Sequence, residues 1–111
     1  MLTHIEPFHC KVIPEGDYVI VAPRGELDMA TVGAIEAELT RVRQSGAEHV
    51  VLDLGGLTFM DSSGLNLVSR WVAASSNNGF RFELEPGPAA VQRVFDLAAM
   101  TERLPFRTRP S

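Results

Sequence analysis

The sequence predicts an α/β fold with a small mixed, mostly parallel sheet, an antiparallel opening hairpin and the element order ββαβαβα. Three observations predict it. Two strand-like segments near the start are joined by a Pro-Glu-Gly turn, later apolar strands alternate with helical stretches, and the helical stretches carry apolar residues at a 3.6-residue period. Because strand–helix–strand units with short loops form right-handed crossovers, the strands after the hairpin are expected to be parallel.

The opening hairpin is predicted to pair residues 8–13 with residues 17–22. The link between them reads Ile13-Pro14-Glu15-Gly16. Proline at the second position of a turn and glycine at the fourth suit type I geometry, so the turn is placed on these four residues.

The first helix is predicted by one apolar stripe with spacings of three, four and three residues. Asp28 is expected to cap its start, and Gly46 to end it with a positive φ. The stripe on this first helix consists of Val32, Ile35, Leu39 and Val42.

The short apolar run HVVLDL at residues 49–54 is typical of a buried central strand.

After this strand the segment GGLTFMD is expected to form a loop, and a second helix is predicted from Ser62 or Ser63 to about Asn77. A strand with one solvent-facing side follows at residues 80–84, where apolar residues alternate with charged ones. A third helix comes last. The inward-facing residues are Leu65, Val68 and Val72 in the second helix, and Val91, Val94, Phe95 and Ala98 in the third.

Composition and charge exclude several classes of function for this protein. The chain has 111 residues, 45% of them hydrophobic and 22% charged, which predicts one globular domain spanning residues 1–111. A formal net charge of −4 offers no basic face to nucleic acid. The single cysteine, Cys10, excludes an internal disulfide, and its alternation with Phe8 and Val12 predicts a packed, inert thiol. No apolar segment has the pattern of a signal peptide or the length of a membrane span, so we expect a cytoplasmic protein that does not bind a membrane.

The stretch FMDSSG, residues 59–64, places a carboxylate and two hydroxyls where the second helix begins. In parallel sheets such loops lie at the carboxyl ends of the strands. Asp61 or a serine can cap the helix, because its first N–H groups have no partner within the helix. A serine there can instead carry a phosphate, which the helix dipole partly stabilises. Both interpretations hold together if Asp61 is the cap and a serine is the acceptor.

The segment VVLDLGGLTFMDSSGLNLVSRW, preceded upstream by RGELD, resembles the STAS domain of bacterial anti-sigma factor antagonists. VQRVFDLAAM is similar to the last helix of the family, so the resemblance covers essentially the whole chain. It implies partner switching in transcription regulation. The unphosphorylated antagonist binds an anti-sigma factor that is also a serine kinase and frees the sigma factor. Phosphorylation by that kinase switches the antagonist off until a serine phosphatase resets it.

By position, the resemblance places the phosphoacceptor on Ser62, with Ser63 as the alternative. It also implies that the loop after the second strand lies beside the phosphorylation loop, so that Glu26 and Asp28 belong to the kinase-facing surface. Glu26 can equally be a solvated side chain and Asp28 only a cap. Gly64 either lets a partner approach the backbone or is a small residue tolerated in a first turn. The implied partner-binding residues are Glu26, Asp28, Asp61, Ser63 and Gly64.

Other functions fit the sequence less well. A hydrolase nucleophile elbow needs Gly-x-Ser-x-Gly, which neither serine satisfies, and no histidine is an obvious general base, so no enzyme activity is expected. A phosphate-binding loop lacks its lysine. His4, His9 and Cys10 do not have the pattern of a metal site, and no cofactor is expected. The remaining alternative is a STAS scaffold subunit of a stress-signalling or lipid-transport complex, which the intact acceptor serine disfavours.

Overall fold

The computed structural model describes residues 7–108, and this part of the chain forms a five-stranded mixed sheet with three α-helices and a short 3-10 helix. The fold class predicted from the sequence is confirmed. In chain order the elements are β1 His9–Glu15, β2 Tyr18–Leu27, α1 Val32–Gln44, β3 His49–Asp53, β4 Leu57–Met60, α2 Ser62–Asn78, β5 Arg81–Glu85, α3 Ala89–Leu97 and the 3-10 helix Thr101–Arg103. Contacts run from α1 to α2 and from α2 to α3, so the helices form one layer against the sheet.

The sheet has the strand order β1-β2-β3-β5, and β4 pairs with the last residues of β2. Within residues 7–108 the β1–β2 pair is antiparallel, whereas β2–β3, β3–β5 and β2–β4 are parallel, as the crossover argument predicts. The segment GGLTFMD, expected to be a loop, contains the strand β4. The predicted order therefore gains one short strand before α2.

The hairpin turn differs from the predicted one. β1 continues through Pro14 to Glu15, which pairs with Tyr18, so the loop consists of Gly16 and Asp17 alone. Gly16 has a φ of +62°, a left-handed value that glycine adopts without strain and that two-residue hairpin loops require. The proline is accommodated in the strand because β1 lies at the edge of the sheet.

The core lies between the sheet and the helix layer, and the stripe predicted for α1 is confirmed. Ile35, Leu39 and Val42 are buried, and Val32 packs against the same cluster. Gly46 follows the helix with a φ of +101°, as predicted from the sequence. The period of the apolar residues therefore identified both the helix and its buried side.

The buried side of α2 is turned slightly from the predicted one. Val68 is buried as expected, but Leu65 and Val72 are only partly buried. Trp71 takes an interior position, and its indole N–H donates a hydrogen bond to the Glu36 carboxylate at 2.7 Å. This bond links α2 to α1 and satisfies the one polar atom of the Trp71 side chain.

The segment after α3 returns to the sheet. Phe106 forms a parallel bridge with Leu84 of β5, and its ring packs edge-on against Phe95 with the centroids 5.3 Å apart. Val91 and Phe95 are the buried residues of α3, whereas Ala98, expected to face inward, lies just past the helix end and is exposed. The returning segment covers the edge of β5 that no strand occupies.

Cys10 lies on β1 in a hollow beside α1, together with Glu38 and Val42. Burial and, to a smaller extent, the Glu38 carboxylate raise the pKa of the Cys10 thiol to about 11. Since the thiolate is the reactive species, roughly one thiol in a thousand is ionised at pH 8.

We therefore expect a disulfide reagent at pH 8 to label the native chain about a hundredfold more slowly than the urea-unfolded chain, whose thiol has a pKa of about 8.5. The native labelling rate should still be rising at pH 10, because the thiol is then only partly ionised. A native rate that levels off below pH 9 would contradict this prediction.

Candidate functional site

Two chain segments leave the sheet side by side at the carboxyl ends of β2 and β4. Parallel pairing sets Glu26 beside Phe59 and Leu27 beside Met60. The backbone N–H of Asp61 then donates to the Leu27 carbonyl at 3.1 Å. The loop after β2 and the start of α2 therefore begin at the same point on the edge of the sheet.

Asp61 is the N-cap of α2. Its backbone is extended, with φ −109° and ψ −166°, and its Oδ1 accepts a hydrogen bond from the Ser63 N–H at 2.8 Å. The Asp61 carbonyl accepts a second bond from the Gly64 N–H at 3.1 Å. The capping role predicted for Asp61 is confirmed, and these two bonds fix the first turn of the helix.

The two serines occupy different environments. Ser62 is the first residue of α2 and is exposed, and its hydroxyl makes no hydrogen bond to any residue between 7 and 108. Ser63 is half-buried, and its N–H is engaged by the Asp61 cap. Ser62 thus offers the more accessible hydroxyl, on a helix start whose N–H groups favour an anion.

Asp28 organises the turn between β2 and α1. Its Oδ1 accepts hydrogen bonds from the N–H of Ala30 at 2.9 Å and the N–H of Thr31 at 3.2 Å. The Asp28 N–H donates to the Thr31 hydroxyl oxygen at 3.0 Å, and that hydroxyl donates to the Glu26 carbonyl at 2.7 Å. The prediction that Asp28 caps the first helix is wrong, because the N-cap of α1 is Thr31. The Asp28 carboxylate instead holds the turn that leads into the helix, since its hydrogen bonds go to N–H groups before Val32. The side chain of Glu26 is exposed.

The two loops enclose a shallow hollow of about 530 Å³, lined by Asp28, Met29, Ala30 and Asp61. The loop after β2 and the loop before α2 therefore lie together, as the family resemblance implied. Met29 is 83% exposed, and Phe59 on β4 is 46% exposed. Sequence reasoning missed both residues, because only carboxylates and hydroxyls were considered there. For Met29 the sequence did contain a signal: a large apolar side chain stands in a turn, between an aspartate and an alanine, where it has no core position to fill.

Gly64 is buried beneath the first turn of α2. A Cβ atom on this residue would lie 2.5 Å from Met60 Cγ and 2.8 Å from Leu27 Cδ2, well inside van der Waals contact. Packing within the chain therefore explains the glycine. A contact between Gly64 and a partner stays a prediction, and its burial leaves little backbone to offer.

The histidines lie away from Ser62. His49 is at the amino end of β3, where its Nε2 lies 2.6 Å from Glu83 Oε1, whereas Ser62 follows the carboxyl end of β4. His9 begins β1, and His4 lies outside the described residues. Within residues 7–108 no group of three His, Cys, Asp or Glu side chains is placed to hold a metal ion, and no helix is long and apolar enough to cross a membrane.

Comparison of the sequence with known proteins gives a family match over most of the chain. The family model of the STAS domain matches residues 11–111. A Staphylococcus epidermidis protein named anti-sigma-B factor antagonist is 29% identical over 92 residues, which cover 83% of this chain and 85% of that protein.

Comparison with solved structures finds similar folds. An anti-sigma factor antagonist from Mycobacterium paratuberculosis superposes with a TM-score of 0.76 at 23% identity, covering 95% of this chain and 89% of the other. The anti-sigma factor antagonist SpoIIAA in its unphosphorylated form superposes with a TM-score of 0.73 at 24% identity, and the match covers 95% of this chain and 90% of SpoIIAA. SpoIIAA in its phosphorylated form, a Bacillus cell fate determinant, superposes with a TM-score of 0.68 at 23% identity, and the match covers 95% of this chain and 93% of SpoIIAA. At these identities the likeness shows a shared fold.

The packing of Gly64 gives a prediction about stability. Gly64→Ala is expected to destabilise the chain by about 1–3 kcal/mol, because the added methyl group overlaps Met60 and Leu27. Gly33→Ala is the matched control. A Cβ atom at Gly33 in α1 meets nothing within 4 Å, so alanine there should be neutral or stabilise by up to about 1 kcal/mol through its higher helix propensity. Urea unfolding followed by circular dichroism measures both variants, and equal free energies of unfolding would show that packing does not constrain Gly64.

Proposed function

The chain belongs to the STAS-domain family, and from that premise we propose that it is an anti-sigma factor antagonist that phosphorylation of Ser62 switches off. In its unphosphorylated form it binds an anti-sigma factor that is also a serine kinase, and the sigma factor is released. The kinase then phosphorylates Ser62, the complex dissociates, and a serine phosphatase resets the chain. The chain is a kinase substrate in this scheme and not an enzyme, and it acts in the cytoplasm beside the transcription machinery.

The observation that carries this proposal is the exposed Ser62 hydroxyl at the first position of α2. A kinase supplies the base and the nucleotide, so its substrate has only to present a hydroxyl in a fixed pose. Asp61 fixes the helix start through the Ser63 N–H, and Gly64 seats that turn on the core. The hydroxyl is therefore held by a rigid backbone and is open to an approaching enzyme.

The charges around Ser62 support a protein partner with basic groups. We propose Glu26, Asp28, Asp61 and Ser63 as partner-contacting residues, with Gly64 supporting this surface from below. Among the described residues, no basic side chain lines the hollow between Asp28 and Asp61. A phosphate on Ser62 adds about −1.5 to −2 charges, and the lining residues offer it no cation.

The names of the relatives support the same function. The matched Staphylococcus relative is named an anti-sigma-B factor antagonist, and SpoIIAA has been seen with and without phosphate. A STAS scaffold subunit, the alternative function, would bind its partners whether or not a serine is modified. The exposed acceptor hydroxyl favours the switch.

The experiment that tests the proposal mixes the chain with each anti-sigma kinase of the organism that encodes it, in the presence of ATP. Mass spectrometry then maps the modified residue. Phosphate on Ser62, together with binding before phosphorylation and release after it, supports the antagonist. Stable binding that ATP does not change indicates a scaffold.

Ser62→Ala is expected to abolish phosphorylation and to leave binding of the anti-sigma factor unchanged, because the methyl group keeps the local shape and adds no charge. Ser63→Ala is the matched control. Even if loss of this contact weakens binding, an excess of kinase should phosphorylate it to the same final extent as the unaltered chain, because the acceptor Ser62 is retained and the Asp61 cap uses the Ser63 N–H and not its hydroxyl. The ATP-dependent mass shift measures both variants. Full phosphorylation of Ser62→Ala would show that the acceptor is another residue.

Phosphorylation is expected to weaken the complex and to leave the fold nearly unchanged. At a helix N-terminus the dipole favours the phosphate by about 0.3–1 kcal/mol, and repulsion from the neighbouring Asp61 opposes this gain. Against a partner that excludes water, an imperfectly paired charge costs several kcal/mol, and each 1.4 kcal/mol is about tenfold in affinity.

Modified and unmodified chains should therefore melt within a few degrees of each other, while affinity for the anti-sigma factor falls by about tenfold or more. Calorimetry measures both quantities on the same samples. A collapsed melting transition of the phosphorylated chain would indicate that the switch acts by unfolding.

A further inference from the structure

Two exposed apolar side chains border the acidic site, and the packing of the chain does not account for them. Met29 follows β2 directly after Asp28, and Phe59 lies on β4 as the strand neighbour of Glu26. The other exposed large apolar side chains of residues 7–108 lie elsewhere, on the edge strand β1 and at the end of α3. They are Val12, Ile13 and Leu97.

We infer that Met29 and Phe59 are the apolar anchors of the partner-binding surface, and that they insert into an apolar pocket of the anti-sigma factor whose border carries arginine or lysine side chains. This inference rests on the proposed function and names the surface chemistry that the site recognises. Carboxylates around apolar anchors match the usual division of an interface into an apolar centre and a polar rim.

Met29 is presented by a turn that hydrogen bonds hold from both sides. The Asp28 carboxylate accepts the N–H groups of Ala30 and Thr31, and the Thr31 hydroxyl donates to the Glu26 carbonyl at 2.7 Å. The Met29 side chain is 83% exposed, so it contributes little to the stability of the free chain. A fixed backbone that carries an adaptable apolar side chain suits a partner pocket, because little backbone freedom is lost on binding.

Phe59 is presented by the sheet. Its neighbours in the strand pairing are fixed, and the next residue, Met60, is buried, yet the Phe59 ring remains 46% exposed. Aromatic side chains of this kind contribute strongly to affinity once a partner covers them, because burial removes their remaining surface from water. Phe59 therefore offers a second anchor on a rigid element, close in the chain to Ser62.

The surrounding charges select the kind of partner. Glu26, Asp28 and Asp61 place three carboxylates at this edge of the sheet. A second copy of the chain would bring the same three carboxylates face to face, and nucleic acid would be repelled by them. A protein surface with basic residues around an apolar pocket complements both features.

Insertion of the anchors also connects the surface to the switch. Once Met29 and Phe59 are covered, the partner excludes water from Ser62, which is the first residue of α2 and follows β4 after Asp61. A phosphate there loses its hydration, and the residues that line the hollow offer it no cation. The anchors thus make binding sensitive to the modification.

The test measures binding of the unmodified full chain and its variants to the anti-sigma kinase that phosphorylates it, by isothermal titration without ATP. Met29→Ala and Phe59→Ala should each weaken binding by roughly tenfold or more. Met29→Gln keeps the size of the side chain but replaces its apolar end with an amide. It should also weaken binding, which would show that the pocket requires an apolar side chain and not only a large one. Leu97→Ala is the matched control: Leu97 is 81% exposed, and it ends α3, an element that contributes no residue to the hollow between Asp28 and Asp61. Its affinity should be that of the unaltered chain, and thermal melting confirms that every variant is folded.

A second measurement tests whether arginine or lysine side chains surround the apolar pocket of the partner, which we call its basic border. Association of the unaltered chain should slow as salt is raised, and Glu26→Gln should reduce that dependence, because an exposed carboxylate that steers a basic partner is lost. An association rate that does not depend on salt would overturn the basic border.

The outcomes separate this inference from the proposed function. If the unaltered chain binds the kinase and the Met29 and Phe59 variants bind within about twofold of it, the anchors are overturned and the proposed function stands. If the unaltered chain binds no anti-sigma kinase, the proposed function fails and the inference fails with it. Self-association of the chain that Met29→Ala abolishes would make a second copy the occupant and would also overturn the inference.

Discussion

The parallel pairing of β4 with the end of β2 is the constraint on which the candidate site depends. It sets Leu27 beside Met60, and the Asp61 N–H continues the pairing with a bond to the Leu27 carbonyl at 3.1 Å. Gly64 then lets the first turn of α2 rest on both of these core side chains. Because the same residues belong to the core and to the base of the site, the position of Ser62 is fixed by the packing of the whole domain.

Neighbouring residues divide structural and functional roles at the start of α2. Asp61 and the Ser63 N–H form the cap, so the helix start does not depend on the Ser62 hydroxyl. Asp28 is engaged in the same way by the turn before α1. Both carboxylates accept hydrogen bonds from backbone N–H groups of their own loops. Under the proposed function, the two aspartates that shape the loops also supply the negative charge that a partner meets.

Local signals predicted the helices and central strands, whereas the strand β4 depends on tertiary pairing. The stripe on α1 and the cap at Asp61 follow from spacing and from the chemistry of a few side chains. β4 has only four residues, buried at both ends and exposed in the middle, so it shows no alternation. Pro14 suits a turn and an edge strand equally, and the pairing of β1 decides between them. Exposure is equally invisible in the sequence: Phe59 reads as a core residue until the pairing of its strand is known.

The rigidity of this site determines how a modification can act. A domain of this size has roughly 5–15 kcal/mol of stability in total, so a switch that worked by unfolding would have to remove most of it. A charge at an exposed helix start changes stability by only about 1 kcal/mol, because water still solvates it. The same charge in a protein interface loses that water, and a change of about 2.7 kcal/mol already lowers affinity a hundredfold. Asp61 and Gly64 hold the backbone beneath Ser62. Under the proposed function, a phosphate on Ser62 would therefore act at the interface with the partner and leave the fold intact.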